Sequence, residues 1–240
     1  MIDITPTFIG DLEHMRTLIL TIALVTISLS RGAETRTAQV KNKFPEDVAK
    51  FATEPVPAPG GILLVGSSIF RKWLTFASDL APLPATNRAF GGSQTKDQLL
   101  FFDQIVPTSH ARLVVWYCGS NDINNHKKPD FILKNTQDWI NRTRAALPHA
   151  RIVLISVIRA PQKREDGYLV LVDEVNKGLR SLATDSTDLT YVDVNPVLED
   201  SAGESLVECY GKDKLHFTPE GYRRLTSVLH PALEKNWKQP

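Results

Sequence analysis

The sequence predicts a single α/β domain with three layers, in which a doubly wound parallel sheet of about five strands lies between helices. Short apolar runs alternate along the chain with segments of helical periodicity, a pattern typical of βαβ units. Several of these runs are apolar at nearly every position, as expected of strands buried on both faces of a parallel sheet. We place this domain at residues 60–237.

Each predicted element rests on a local pattern. The predicted strands are residues 61–65 (GILLV), 85–90 (ATNRAF, the weakest), 112–117 (RLVVWY), 151–157 (RIVLISV) and 189–194 (LTYVDV). Two predicted helices carry apolar positions at helical spacing, and they are residues 130–147 and 168–183. A last helix is predicted to open with Thr218 as its N-cap and Pro219 at its first position.

The composition excludes several classes of protein. The chain has 240 residues, of which 42% are hydrophobic and 23% charged, and 28 Lys and Arg balance 27 Asp and Glu. This is ordinary globular composition. A net charge of +1 argues against nucleic-acid binding through a strong positive field. Two cysteines exclude a disulfide scaffold. No HExxH or CxxC motif occurs, so nothing predicts a metal or another cofactor.

Residues 1–30 are predicted to be a signal peptide. Residues 18–29 (LILTIALVTISL) carry no charge and follow Arg16. This run has the length of a signal-peptide core and is too short for a stable membrane span. Ser28 and Ser30 are small residues suited to cleavage near Ser30. We therefore expect the protein to be exported, to the periplasm or the medium. The alternative is a stray apolar helix at the N-terminus.

The segments on either side of this apolar run complete the domain plan. The acidic residues ahead of Met15 do not suit a signal peptide, which indicates an over-long start. Residues 31–59 are polar and then Pro-rich, and they are predicted to be a linker with one short amphipathic helix at about residues 45–51.

The segments that follow the strands carry the residues whose side chains and backbone are suited to catalysis. In doubly wound sheets, ligands bind beyond the carboxyl ends of the strands. These segments hold a hydroxyl, flexible backbone, an amide and a carboxylate–imidazole pair, which together are what acyl transfer needs. Taken singly, each has a common structural explanation as a cap, a turn or a loop charge. The residues are Ser67, Ser68, Gly91, Gly92, Ser93, Gly119, Ser120, Asn121, Asp122, Arg159, Asp213 and His216.

Four of these segments resemble the four sequence blocks of the SGNH hydrolases, also called the GDSL esterases. The blocks are residues 65–68 (VGSS), 87–93 (NRAFGGS), 119–122 (GSND) and 213–216 (DKLH). The resemblance covers about residues 60–235 and is strongest to a bacterial branch with GSS in its first block, related to acetylhydrolases of small acyl groups. It implies a flavodoxin-like fold. Ser67 stands where GDS-type members carry Asp, which leaves open how the nucleophile loop is braced.

The resemblance implies a serine esterase that cleaves carboxylic esters, with short acyl groups favoured, through an acyl-enzyme intermediate. Ser68 would be the nucleophile, His216 its general base, and Asp213 the carboxylate that orients the imidazole. The alternatives on the same scaffold are an acyltransferase and a non-catalytic protein that binds an acylated glycan. The expected partner is a small-molecule or glycan ester, and the oligomeric state stays open.

The resemblance also implies an oxyanion hole. Its donors would be the backbone N–H of Ser68, the backbone N–H of Gly92 and the side-chain amide of Asn121. Gly91 remains an alternative to Gly92, since the sequence does not fix the register by one position.

Two further sets of residues have two interpretations each. Cys118 and Cys209 both lie near predicted site segments, so they are either separate buried thiols or a disulfide of an exported protein. Four bulky residues near the first two blocks either line an acyl pocket or pack in the core, and we favour the core for at least half of them. They are Ile69, Phe70, Trp73 and Phe90.

Overall fold

The structure, a computed structural model, describes residues 44–54, 57 and 59–238. The chain divides into a first unit of residues 1–46 and a second unit of residues 47–240. The second unit contains the sheet and the candidate site. The predicted signal peptide and most of the predicted linker lie outside the described residues, and both stay predictions.

A five-stranded, all-parallel sheet forms the centre of the second unit, as the sequence predicts. Its order is β2-β1-β3-β4-β5, and every adjacent pair is parallel. The strands are β1 (Ile62–Gly66), β2 (Ala85–Asn87), β3 (Leu113–Tyr117), β4 (Arg151–Ile155) and β5 (Leu189–Val192). In this order the direction of winding reverses between β1 and β3, which is where such sheets bind ligands.

Helices cover both faces of the sheet. The described helices are α1 (Pro45–Thr53), α2 (Ser68–Arg71), α3 (Phe76–Asp79), α4 (Thr95–Leu100), α5 (Phe102–Ile105), α6 (Ser120–Asn124), α7 (Pro129–Ala146), α8 (Pro161–Glu165), α9 (Leu169–Leu182) and α10 (Pro219–Lys238). Three short 3₁₀ turns complete the described elements, and they are Pro107–Ser109, Asn195–Val197 and Val207–Cys209.

The two faces of the sheet bury different layers. On one face, alternate residues of β1 and β3 share a core cluster with residues of α2 and with Leu225 and Leu229 of α10. On the other face, Trp116 of β3 packs against Trp139 of α7, with 4.2 Å between ring centroids. Every residue of β1 and β3 is buried, because each strand is covered from both sides. This explains why both segments are apolar at every position.

The predicted elements are confirmed with shifted ends. The weak second strand shortens from residues 85–90 to Ala85–Asn87, although the N–H groups of Arg88 and Phe90 still donate to the carbonyls of Leu64 and Gly66 on β1. The predicted last helix does begin at Pro219, and the Thr218 hydroxyl accepts the Gly221 N–H at 3.3 Å. The short helices α2 to α6 and α8 have no counterpart in the sequence prediction. Five of these six span only four or five residues, too few to show a helical period.

No described helix is long and apolar enough to cross a membrane. Within the part of the chain that the structure describes, no group of three or more His, Cys, Asp or Glu side chains is placed to hold a metal ion.

Candidate active site

A tight turn at the end of β1 presents the first candidate residue. Gly66 has φ +144°, and a Cβ atom there would lie 1.9 Å from the carbonyl oxygen of Tyr117 on β3. Only glycine fits this approach. The next backbone N–H, that of Ser67, donates to the same Tyr117 oxygen at 3.0 Å. The turn is thus fixed to the neighbouring strand, and Ser68 begins helix α2 directly above it.

The two adjacent serines have different environments. The Ser67 side chain is buried, whereas Ser68 is partly exposed and its Oγ lies 2.8 Å from Nε2 of His216. Of the two hydroxyls, Ser68 is the one that an imidazole contacts. The bracing left open by Ser67 in place of an aspartate comes from the backbone, through the hydrogen bond to Tyr117.

A short loop before α10 supplies the imidazole and a carboxylate. Nδ1 of His216 lies 2.6 Å from Oδ2 of Asp213. Oδ1 of Asp213 accepts the backbone N–H groups of His216 at 3.0 Å and of Leu215 at 3.2 Å. Partial burial of Asp213 acts to raise its pKa, but the hydrogen bonds from His216 and Leu215 outweigh it and lower the pKa to about 2. Asp213 therefore stays ionised, and Nδ1 of His216, which faces it, carries a proton and donates to the carboxylate.

The predicted oxyanion donors lie in the turns after β2 and β3. A Cβ atom at Gly91 would lie 3.9 Å from the Cβ of Ser68, so this turn borders Ser68. Gly92 has φ +78°. Among the described residues, the backbone N–H groups of Ser68, Gly91 and Gly92 have no acceptor. The Asn121 amide, at the start of α6, donates to the Ser93 carbonyl at 2.9 Å, which uses one of its two hydrogens.

Beside Asn121, the fully buried carboxylate of Asp122 joins the two turns. It accepts the backbone N–H of Thr95 at 3.0 Å and the Thr95 hydroxyl at 2.6 Å. Burial raises the pKa of Asp122 to about 6, although the hydrogen bonds from Thr95 act to lower it. The carboxylate thereby holds the start of α4 against α6, next to the candidate oxyanion hole.

A second buried network connects α4 to the turn after β1. The Gln98 side-chain amide donates to the Gly66 carbonyl at 2.9 Å and to the Ser93 hydroxyl at 2.8 Å. The same Gly66 carbonyl accepts the Phe90 N–H at 3.0 Å. The sequence does not single out Thr95 or Gln98, since an isolated Thr or Gln in a helix carries no motif. Their burial and their partners identify them.

Arg159, the two cysteines and the four bulky residues singled out in the sequence are not part of the hydrogen-bonded line of Ser68, His216 and Asp213. Arg159 forms ion pairs with Asp173 and Glu199 and has no contact with Ser68. Cys118 and Cys209 are both buried and free, so the structure contains separate thiols rather than a disulfide. The four bulky candidates for an acyl pocket are all buried in the protein interior, and they are Ile69, Phe70, Trp73 and Phe90.

The geometry defines a class of protein: a doubly wound α/β domain with a serine, a histidine and an aspartate in a hydrogen-bonded line at its switch point. A sequence model of the family described as GDSL-like lipase/acylhydrolase matches residues 65–224. The chain belongs to this family of hydrolases. No curated protein sequence matches the chain.

Solved structures of similar fold include members of the same family. A protein from Streptococcus pneumonia, provisionally named as a platelet activating factor, gives a TM-score of 0.73 at 20% identity over 85% of this chain and 99% of that chain. A GDSL-like lipase from Bacteroides thetaiotaomicron gives 0.65 at 20% identity over 80% and 98%. A carbohydrate esterase of family 3 from Talaromyces cellulolyticus gives 0.61 at 16% identity over 75% and 98%. At such identities the likeness shows the shared fold alone.

Proposed function

We propose that the protein is a serine esterase that hydrolyses short-chain carboxylic esters through an acyl-enzyme intermediate. One observation carries this proposal: Ser68, His216 and Asp213 form a continuous line of hydrogen bonds of 2.8 Å and 2.6 Å. Such a line joins a nucleophile to a base and the base to an orienting carboxylate. Membership of an acylhydrolase family agrees with this chemistry.

In the first half-reaction, Ser68 Oγ attacks the ester carbonyl carbon while Nε2 of His216 takes its proton. The resulting tetrahedral intermediate collapses as the C–O bond to the alcohol breaks. His216 returns the proton to the departing alcohol, and the acyl group stays on Ser68. Asp213 holds Nδ1–H toward itself, so the ring presents an unprotonated Nε2 to the serine. The Asp213 carboxylate also stabilises the imidazolium that forms.

The oxyanion of each tetrahedral intermediate would be held by three donors, the N–H groups of Ser68 and Gly92 and the amide of Asn121. Gly91 remains the alternative to Gly92, as both belong to the turn that borders Ser68. The absence of acceptors for these N–H groups among the described residues supports the proposal, because fixed donors aimed at developing charge supply a large share of catalysis. The second amide hydrogen of Asn121 is available for the same task.

In the second half-reaction, water replaces the alcohol. His216 takes a proton from water, the hydroxide oxygen bonds to the acyl carbon, and Ser68 leaves with the proton returned by His216. An acyltransferase would use the same residues with a second alcohol in place of water. Product analysis in the presence of a sugar acceptor separates these two outcomes.

Short acyl groups fit best with the packing around Ser68. The large apolar residues that follow Ser68 in the sequence, Ile69, Phe70 and Trp73, are buried in the core cluster. They are therefore not available to line a long acyl channel. A structural neighbour described as a carbohydrate esterase suggests an acetylated glycan as one candidate substrate.

The test is a turnover screen of the purified protein on p-nitrophenyl esters of rising chain length and on acetyl-xylan. We expect kcat/KM to be highest for acetyl or other short acyl esters. Ser68→Ala should lower kcat on the order of 10⁴-fold or more, whereas the adjacent Ser67→Ala control should cost less than about tenfold, since it leaves all triad contacts in place. A preference for long acyl chains would contradict the substrate assignment, and an active Ser68→Ala variant would contradict the mechanism.

A further inference from the structure

Helix α8 carries a fully buried lysine that the mechanism above does not use. The Lys163 side chain has no exposed surface. Its ammonium forms no ion pair with any described residue. Burial lowers the pKa of Lys163 to about 8, although nearby Asp166 acts to raise it. A buried ammonium without a carboxylate partner is costly, so its contacts need a specific explanation.

Both of its hydrogen bonds go to helix α6. Nζ of Lys163 donates to the Ser120 carbonyl at 2.9 Å and to Oδ1 of Asn124. These acceptors are the first and last residues of α6, and Asn121 lies between them. The ammonium therefore holds both ends of the five-residue helix that carries the proposed oxyanion donor.

Helix α8 also contacts the loop that carries the other half of the site. The Gln162 N–H donates to the Lys214 carbonyl at 3.0 Å, and Nζ of Lys214 lies 2.5 Å from a carboxylate oxygen of Glu165. Lys214 stands between Asp213 and His216 and has φ +56°, a conformation that needs support. One short helix thus links α6, which carries Asn121, to the loop of residues 213–216, called the acid–base loop below.

We propose that Lys163 is a positioning residue that fixes α6, and with it the Asn121 amide, relative to Ser68. The inference rests on the proposed esterase function. Asn121 has a second support on its opposite side, where its amide donates to Ser93 and Asp122 is bound to Thr95. Lys163 provides the contact that these bonds do not supply, because it restrains the backbone of Ser120, the residue directly before Asn121.

A double-mutant cycle of Lys163→Met and Asn121→Ala tests this role. Met has a similar unbranched shape without the charge. If Lys163 acts through Asn121, Lys163→Met lowers kcat about 10- to 100-fold with KM changed by less than about threefold, the scale of effect expected from a small misplacement of a catalytic group. In the Asn121→Ala background, the same change should lower kcat by less than about twofold. An equal loss in both backgrounds, or a single variant within about twofold of wild type, would overturn the proposal.

A second readout does not depend on turnover. Hydrogen exchange of the peptides that cover residues 119–126 and 211–217 should speed up in Lys163→Met. The control is Lys134→Met, which removes an exposed lysine that pairs with Asp138 on α7 and should leave both peptides unchanged. Asn124→Ala removes one acceptor from the α6 side and should reproduce the faster exchange if Lys163→Met does not fold. Unchanged exchange of residues 119–126 in the folded variants would overturn the positioning role. A wild-type protein without esterase activity would instead contradict the proposed function, and exchange would still decide whether Lys163 fixes α6.

Discussion

Asp213 and Asp122 belong to the last and third sequence blocks, and the protein gives these two carboxylates opposite environments. Asp213 is half-exposed, and its partners His216 and Leu215 lie within three residues of it. Asp122 is fully buried, and its partner Thr95 is 27 residues away. The pKa of Asp213 is lowered to about 2, while burial raises that of Asp122 to about 6.

The difference separates two tasks within one site. The acid–base loop is a local device, in which one carboxylate orients an imidazole three residues away. The region around Asn121 and Asp122 depends on buried contacts between the turns after β2 and β3 and on α8. We therefore expect changes in the acid–base loop to affect kcat with little effect on folding, and changes around Asp122 to affect stability as well.

The largest expected effect is in the acid–base loop. His216→Ala removes the group that we propose accepts the Ser68 proton, so kcat should fall on the order of 10⁴-fold. The melting temperature should change little, because the ring contacts mainly Ser68 and Asp213. The matched control is His149→Ala, an exposed histidine for which we expect wild-type kcat. Comparable activity of the two variants would remove His216 from the triad.

The next effect concerns Asn121. Asn121→Ala should lower kcat by 10²- to 10³-fold, or about 2.7–4 kcal/mol, with little change in KM, because an oxyanion donor acts mainly in the transition state. Asn121→Asp should be at least as inactive, since a carboxylate would repel the oxyanion. Measuring kcat, KM and melting temperature together is essential, as the amide also bonds Ser93. A lower melting temperature with near-wild-type kcat would reduce Asn121 to a turn former.

The same contrast explains what the sequence could predict. The strands could be predicted because β1 and β3 are apolar at every position. The Asp213–His216 pair could be predicted because its two residues lie three positions apart in the chain. The contacts of Thr95, Gln98 and Lys163 could not be predicted, since each depends on a partner more than 25 residues away. No local pattern distinguishes such a residue from a surface Thr, Gln or Lys.

The smallest expected effects are on stability, and they have opposite signs with pH. Because the native pKa of Asp122 lies above that of an unfolded aspartate, about 3.9, the folded protein binds the extra proton between about pH 4 and 6. Relative to Asp122→Asn, the wild type should therefore lose up to about 3 kcal/mol of unfolding free energy as pH rises through this window. Urea denaturation of both proteins from pH 4 to 7 measures this, and a constant difference would contradict the burial of a charged Asp122.

Asp213 provides the reverse case. Its native pKa is lower than the unfolded value, so the unfolded chain binds the extra proton. Relative to Asp213→Asn, the wild type should lose stability as pH falls from about 4 toward 2, and the difference should be constant above pH 5. The effect is small because the carboxylate is half-exposed and screened by solvent. A loss of stability at rising pH would show that the His216 pairing is absent.

Covalent labelling tests the central claim, that Ser68 is the nucleophile, most directly. The wild-type protein and the Ser68→Ala variant are treated with a fluorophosphonate probe, and the modified peptide is identified by mass spectrometry. We predict one adduct per chain, on Ser68, and no adduct in Ser68→Ala, since among the described serines Ser68 is the one whose hydroxyl lies within hydrogen-bond distance of an imidazole. An adduct on Ser67 or Ser93, or equal labelling of the Ser68→Ala variant, would contradict the account.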